Sequence, residues 1–317
     1  MAVYTQVSAE ALAEFLVRYD VGELVSAKGI AEGVENSNYL VDTTAGRFIL
    51  TLYEKRVSAD DLPFFMALLD HLAERGNPVP PAIADRAGRE IQELVGRPAC
   101  LIKFLPGVSV THPTVRQARA SGEAMARMHL SLADFGLERP NALGPDEWPR
   151  LLARCGDDLD RIAHGLHAQL KGELDRVLDA WPVDLPRSAI HADLFPDNVL
   201  MRGDAVTGLI DFYFACTDIR TYDLAVMHSA WAFEGDGAPA DLAVGRALVE
   251  GYQSALPLLP EERAALPVLA RGACIRFALT RAWDWLNTPA DALVTRKDPL
   301  AYVRRLGWYA AHPQAFA

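Results

Sequence analysis

The sequence predicts an α+β fold with two parts. Strand-like runs separated by turn residues, with one helical pattern among them, occupy the first third of the chain. Long segments with the 3.6-residue period of helices dominate the remainder, and only one later stretch returns to a strand pattern. We therefore expect an N-terminal part over residues 1–104 and a C-terminal part over residues 105–317.

The N-terminal part is expected to hold a five-stranded sheet. A helix precedes the strands and runs from Ser8, a residue type that caps helices, to about Tyr19. The pair Ala45-Gly46 predicts a tight turn, so the strands on either side of it should form a hairpin. The strand-like runs are Leu24–Ile30, Asn38–Asp42, Arg47–Tyr53, Ile91–Leu94 and Ala99–Leu105, with a helix at about Asp60–Glu74 between the third and the fourth.

The C-terminal part is expected to be mostly helical. The stretch Ser188–Phe214 is its one strand-rich exception. The helical patterns are Thr114–Leu132, Trp148–Ala153, Leu166–Trp181, Leu242–Ala255, Glu261–Asn287 and Leu300–Tyr309.

The composition excludes several classes of protein. The chain has 317 residues, a formal net charge of −11 and 50% hydrophobic residues, so it is globular and lacks the basic balance of nucleic-acid binders. Its four cysteines are far apart without CxxC spacing, which favours reduced thiols over disulfides or a metal site. No signal pattern and no membrane-length apolar run is seen, so we expect a cytoplasmic protein without a membrane or nucleic-acid partner.

The most informative stretch runs from His191 to Phe212. Two five-residue strands, 198–202 and 207–211, are predicted to form an antiparallel hairpin in which Asn198 faces Asp211. Asp193 lies in the loop just before this hairpin. Three oxygen-bearing side chains should therefore meet at one end of the hairpin.

These oxygens suit phosphoryl chemistry. Mg²⁺ prefers hard oxygen ligands such as Asn198 and Asp211 and accepts substrate phosphates as further ligands, which leaves Asp193 to take a proton from an attacking hydroxyl. The alternative is that Asp193 and Asp197 only cap turns and that Asp211 only ends a strand. The combination of all these residues in one pattern favours the catalytic interpretation.

The pattern His191-x-Asp193-x4-Asn198, followed by a strand, a turn and apolar-apolar-Asp-Phe, resembles the aminoglycoside phosphotransferase and choline kinase superfamily. The resemblance extends over essentially the whole chain. The sequences GVENSNY (33–39), ILTLYEKR (49–56) and DFYFAC (211–216), with YDLA (222–225), more narrowly resemble bacterial homoserine kinases. The resemblance implies a protein-kinase-like two-lobed fold with an antiparallel N-terminal sheet. It also implies transfer of the γ-phosphate of ATP to the side-chain hydroxyl of L-homoserine, a step of threonine biosynthesis.

The resemblance also implies roles for individual residues. Asp193 matches the catalytic base and Asn198 and Asp211 match the metal ligands, while His191 and Asp223 match residues that support the catalytic loop. A loop over the phosphates and a hinge beside the adenine complete the nucleotide site. The phosphate loop could also be an ordinary hairpin turn. The candidate residues are Gly33, Asn36, Ser37 and Asn38 in the loop and Lys103 and Leu105 in the hinge.

The chain departs from the superfamily at the residue that pairs with the ATP phosphates. Thr51 stands where a strand lysine or arginine is usual, and the helix segment Leu62–Met66, which is expected to supply the pairing glutamate, carries no acid. The loss of both partners together is consistent, because a buried carboxylate without its cation is costly. Lys55 and Arg56 are candidates for the replacement cation.

The acceptor site is expected on the helix that contains Arg276, Arg281 and Asp284. A zwitterionic amino acid needs a cation for its carboxylate and an acid for its ammonium, and these side chains share one helix surface. The alternative is a solvated ion pair. Trp283 and Trp285 could instead form an aromatic cage for a quaternary amine, although helix packing is the simpler interpretation.

Other functions stay open at this stage. A kinase of the same fold could phosphorylate choline, a methylthio-sugar or an aminoglycoside, and a non-catalytic relative could bind nucleotide and regulate a partner. The intact Asp193, Asn198 and Asp211 argue against the non-catalytic relative.

His129 and His228 are interpreted as packing residues with satisfied ring nitrogens. The sequence does not give the oligomeric state.

Overall fold

The computed structural model describes residues 5–30, 36–54, 58–239, 241–288 and 296–316. Its contacts divide the chain into two compact units, Met1–Pro106 and Gly107–Ala317. The fold is α+β, as predicted: the first unit is built on a five-stranded antiparallel sheet, and the second is mainly helical.

The sheet of the first unit has the strand order β1-β2-β3-β5-β4. All four neighbouring pairs are antiparallel, and the predicted hairpin turns at Thr44-Ala45 between β2 and β3. The elements are α1 (Ala9–Leu16), β1 (Leu24–Gly29), β2 (Asn36–Thr43), β3 (Gly46–Tyr53), α2 (Leu62–Glu74), β4 (Gln92–Leu94) and β5 (Arg97–Lys103).

Helix α1 supplies part of the core of the first unit. The Ser8 hydroxyl accepts the N–H of Ala11 at 3.2 Å, which confirms Ser8 as the N-cap. Phe15 and Leu16 are buried in one cluster with Leu50 of β3 and Leu101 of β5. Each such side chain contributes about 1.5–3 kcal/mol by leaving water, so this apolar stripe fixes α1 against the sheet.

The prediction that Asn36 and Ser37 belong to a loop is wrong, whereas Asn38 lies in the strand that was predicted to begin with it. All three are the first residues of β2 and pair with β3. The Ser37 hydroxyl donates to the Glu54 carboxylate at 2.8 Å, and the Thr51 hydroxyl donates to the amide oxygen of Asn38 at 2.8 Å. Short polar side chains are typical of loops, but here cross-strand hydrogen bonds satisfy them inside the sheet.

The second unit contains the remaining elements. They are α3 (Val115–Ser131), α4 (Trp148–Cys155), α5 (Leu166–Asp179), β6 (Arg187–Ile190), β7 (Val199–Arg202), β8 (Ala205–Leu209), β9 (Cys216–Ile219), α6 (Arg220–Trp231), α7 (Leu242–Ala255), α8 (Pro260–Asn287) and α9 (Leu300–Ala311). Strand β6 pairs with β9, and β7 pairs with β8, in two separate two-stranded sheets.

Helix α6 and strand β9 are absent from the predicted elements. Every residue of α6 from Thr221 to Trp231 is buried. A helix that is surrounded by protein has no solvent face, so its sequence carries no 3.6-residue alternation of apolar and polar side chains. Strand β9 is only four residues long, and its pairing with β6 is not visible locally.

The β7–β8 hairpin has a different register from the predicted one. Its turn is the two-residue Gly203-Asp204, where Gly203 has φ +63°, instead of the predicted four-residue loop. The N–H of Ile210 donates to the carbonyl of Asn198 at 3.0 Å. Asn198 therefore opposes Ile210, and the prediction that it faces Asp211 is wrong by one residue.

Helices α3 and α7 approach each other closely through glycines. A Cβ atom on Gly122 of α3 would lie 2.0 Å from the carbonyl oxygen of Leu248, and one on Gly251 of α7 would lie 2.0 Å from that of Arg119. Only glycine allows this backbone distance. The contact matters for the candidate active site because α3 carries His129 and α7 carries Tyr252, the residue next to Gly251.

All four cysteines are buried and unlinked, as expected for structural thiols. In the described part of the chain, none of the helices combines the length and the apolar character that a membrane span needs.

Candidate active site

The loop after β6 is held by the carboxylate of Asp223. The N–H of His191 donates to Asp223 Oδ2 at 2.8 Å, and the N–H of Ala192 donates to Oδ1 at 2.7 Å. Ala192 has φ +63°, a left-handed conformation that costs a residue with a side chain about 1–2 kcal/mol. A fully buried carboxylate with two backbone donors provides the hydrogen bonds that keep the loop in this conformation.

Asp223 is in turn held by a chain of buried groups. His129 Nε2 lies 3.0 Å from Asp223 Oδ2, and His129 Nδ1 lies 2.9 Å from the hydroxyl of Tyr252. Burial alone would raise the pKa of Asp223, but the hydrogen bonds and charge from His129 and the N–H of His191 outweigh it and lower this pKa. The interpretation of His129 as a satisfied histidine is therefore confirmed. Nothing in the sequence spacing connects Tyr252 with this loop.

The ring of His191 orients the loop from the other side. Its Nε2 donates to the carbonyl of Ile210 at 2.9 Å, and its Nδ1 accepts the N–H of Asp193 at 3.2 Å. This pattern requires the neutral tautomer with the proton on Nε2. Burial lowers the pKa of His191, which favours the same neutral form.

Asp193 lies at the centre of this arrangement and is partly exposed. Its backbone carbonyl accepts the side-chain N–H of Asn198 and the backbone N–H of Phe195, both at 2.8 Å. Burial raises the pKa of the Asp193 carboxyl to about 7; the charge of Arg276 opposes this rise and the charge of Asp211 adds to it. A carboxylate with a pKa near neutrality is suited to accept a proton.

Asn198 and Asp211 could hold a divalent cation. The hydrogen bond from the Asn198 amide nitrogen to the loop leaves the amide oxygen as the group for a metal. Asp211 has φ +67°, directly before the turn Phe212–Phe214. No group of three His, Cys, Asp or Glu side chains suited to a metal occurs in the described part of the chain. One amide and one carboxylate fit a hard ion such as Mg²⁺, which completes its shell with water and phosphate oxygens.

Arg276 does not lie on an open helix surface, so the prediction that it is available to a substrate is wrong. Its exposed fraction is only 2%, and its guanidinium donates to the carbonyl of Ala192. Its charge also lies over the rings of Phe214 and Phe277, at 5.5 Å and 4.5 Å from their centroids. Arg276 therefore stabilises the strained residue of the catalytic loop.

Arg281 and Asp284 are half-buried in the same helix. Arg281 lies 4.5 Å from the ring centroid of Tyr302 and donates to the carbonyl of Asp298 at 3.4 Å. Trp283 and Trp285 do not share one cage. The guanidinium of Arg154 lies 4.3 Å from the ring centroid of Trp283, and that of Arg296 lies 5.1 Å from the ring centroid of Trp285.

The nucleotide-site candidates belong to the first unit. Thr51 is buried and bonded to Asn38, and Lys103 is exposed at the end of β5. Leu105 is half-buried beyond that strand. Gly33, Lys55 and Arg56 lie outside the described residues.

Comparison with known proteins agrees with this geometry. The phosphotransferase enzyme family matches residues 26–258. The chain is 55% identical over 309 residues to the homoserine kinase of Acidiphilium cryptum (strain JF-5), an alignment that covers 98% of this chain and 97% of that one.

Two solved structures have the same fold. A spectinomycin phosphotransferase in complex with ADP and spectinomycin has a TM-score of 0.74 at 14% identity, covering 98% of this chain and 100% of that one. An amicoumacin kinase in complex with AMP-PNP and Ca²⁺ has a TM-score of 0.72 at 14% identity, covering 97% and 93%. Because the family match spans most of the chain and the sequence relative matches almost all of it, the chain belongs to the phosphotransferase enzyme family.

Proposed function

We propose that the chain is a homoserine kinase, which transfers the γ-phosphate of ATP to the side-chain hydroxyl of L-homoserine on the route to threonine. The assignment of homoserine as the substrate rests on the 55% identity, over 98% of this chain, to a protein named homoserine kinase. The kinase chemistry is supported by the loop that holds Asp193 beside Asn198 and Asp211.

In this proposal Asp193 is the general base. Its carboxylate accepts the proton of the homoserine hydroxyl as that oxygen bonds to the γ-phosphorus and the bond to the ADP oxygen breaks. A general base needs a fixed position, and the carbonyl of Asp193 receives two hydrogen bonds that fix it. His191 and Asp223 position the loop and do not transfer a proton.

Asn198 and Asp211 are the proposed ligands of Mg²⁺, which would neutralise charge on the phosphates when bound. The complex of the amicoumacin kinase with AMP-PNP and Ca²⁺ supports a divalent cation in this fold. The first unit is the proposed nucleotide-binding part, with Gly33, Lys55, Lys103 and Leu105 as candidates.

A coupled assay of ADP release tests the substrate. Purified protein is given ATP and Mg²⁺ with L-homoserine, L-threonine, choline or an aminoglycoside in separate reactions. We expect turnover with homoserine far above the others, and ³¹P NMR of the product should show a phosphate ester on the side-chain oxygen. Preferential turnover of choline or an aminoglycoside would reject homoserine and keep the kinase chemistry.

The separate arginines over Trp283 and Trp285 argue against choline as the acceptor. A quaternary amine binds where several aromatic faces are open to one cation, and each of these rings already has its own guanidinium. We therefore do not propose a second acceptor.

A further inference from the structure

We infer that Lys297 and Arg281 together bind the α-carboxylate of the acceptor amino acid. Lys297 belongs to no motif of the sequence, and this inference rests on the proposed function. It names the group that distinguishes an amino-acid acceptor from a simple amino alcohol.

Three aromatic rings bring the two cations to the catalytic loop. Phe195 is two residues after Asp193, and the ammonium of Lys297 lies 5.8 Å from its ring centroid. The ring of Phe195 lies 6.5 Å from that of Tyr302, which carries the guanidinium of Arg281 at 4.5 Å. Phe277 fills the space between them, with ring centroids 5.0 Å and 4.9 Å from Phe195 and Tyr302.

The backbone connects the same two cations. Arg281 donates to the carbonyl of Asp298, the residue that follows Lys297. Both cations also act on the carboxyl of Asp193 through their charge. Both cations are therefore near the carboxyl that takes the proton of the acceptor hydroxyl in the proposed function.

Arg281 differs from Arg220 and Arg271, two other half-buried arginines of the second unit. Arg220 has the carboxylate of Glu262 at 2.6 Å, and Arg271 has that of Glu173 at 2.7 Å. Arg281 has no such ion pair among the described residues, and burial lowers its pKa. A half-buried guanidinium has lost part of its hydration, and without a carboxylate partner this loss is not compensated. An anionic ligand would compensate it.

The α-carboxylate of homoserine fits this position better than a phosphate does. A short carbon chain joins that carboxylate to the hydroxyl, so a hydroxyl beside Asp193 puts the carboxylate near the loop. Guanidinium and carboxylate form paired hydrogen bonds, and the ammonium of Lys297 adds a second charge. The ring of Tyr302 reduces competition from water at the half-buried Arg281, which strengthens the interaction of its guanidinium.

The test compares two acceptors in two variants. L-Homoserine and 3-aminopropan-1-ol differ only by the α-carboxylate, and both are assayed with the wild type, Lys297→Met and Arg281→Met. Arg296→Met is the matched control, because Arg296 is the exposed neighbour of Lys297 and stacks on Trp285 instead. Acceptor affinity is also measured by calorimetry with AMP-PNP present, so a slow acceptor still gives a result.

We expect kcat/KM for homoserine to fall about 10-fold in Lys297→Met and about 10²-fold in Arg281→Met. Values for 3-aminopropan-1-ol, the KM for ATP and all values of Arg296→Met should stay within about twofold. An equal loss for both acceptors, or a raised KM for ATP, would overturn the inference, since the cations would then act on Asp193 or on the phosphates. Because Lys297 is exposed, its variant tests the inference even if Arg281→Met does not fold. A wild type that does not phosphorylate homoserine would instead reject the proposed function.

Discussion

His129 Nε2 lies 3.0 Å from Asp223 Oδ2, and both side chains are completely buried. The two residues come from α3 and α6, and Asp223 also accepts the N–H groups of His191 and Ala192. The conformation of the catalytic loop therefore depends on a contact between two helices that are distant in sequence.

Removal of this contact should weaken both stability and catalysis. His129→Phe leaves a buried carboxylate short of a donor, which should cost about 2–3 kcal/mol of unfolding free energy. Tyr252→Phe removes only the hydrogen bond between the Tyr252 hydroxyl and His129, which should cost about 1 kcal/mol of unfolding free energy. Urea unfolding gives both values, and kcat should fall in the same order. Equal stability of His129→Phe and wild type would show that the contact does not hold the loop.

The close approach of α3 and α7 predicts an unusual sensitivity to single methyl groups. Gly122→Ala and Gly251→Ala each place a Cβ against a backbone carbonyl, so each should lose about 1–3 kcal/mol or more of unfolding free energy. Gly307→Ala is the control, because its Cβ would meet nothing within 4 Å and it lies inside α9. It should gain about 0.5–1 kcal/mol. Destabilisation of the control alone would contradict this account of the packing.

The buried His228 predicts a loss of stability in mild acid. Burial lowers its pKa to about 3, whereas the unfolded chain binds the proton near pH 6.5. The unfolded state therefore gains protons first, and His228 should remove about 1.4 kcal/mol of stability for each pH unit below 6.5 until the folded pKa is reached. His228→Gln should flatten the dependence of unfolding free energy on pH between 7 and 5 relative to the wild type. Identical slopes in His228→Gln and the wild type would contradict the prediction.

The sequence predicted well those elements that have one polar and one apolar face. Helix α1 with its Ser8 cap, the five strands and the amphipathic helices of the second unit all appear close to their predicted bounds. It failed where burial removes the pattern, as in α6, and where a short turn with a bulge shifted the register of β7 and β8 so that Asn198 opposes Ile210 instead of Asp211. It also predicted Arg276 on an open helix surface, whereas the side chain is buried and donates to the carbonyl of Ala192.

Asp211 is expected to determine the dependence on magnesium. In Asp211→Ala the loss of an anionic oxygen ligand should raise the Mg²⁺ concentration for half-maximal rate by about tenfold or more and lower kcat as well. Asp204→Ala removes an exposed carboxylate from the turn of the same hairpin and is the control. A Mg²⁺ titration of initial rates measures the effect, and an unchanged curve for Asp211→Ala would mean that this residue only ends a strand.

Steady-state kinetics of Asp193→Asn test the central claim most directly. The amide keeps the shape of the side chain and loses the proton acceptor, so kcat with homoserine should fall by about 10²–10⁴-fold. Affinity for AMP-PNP should stay within about twofold of wild type. Asp197→Asn, an exposed neighbour in the same loop, should keep wild-type kcat. If purified Asp193→Asn turns over homoserine at the wild-type rate, Asp193 is not the base and the assignment of the site is wrong.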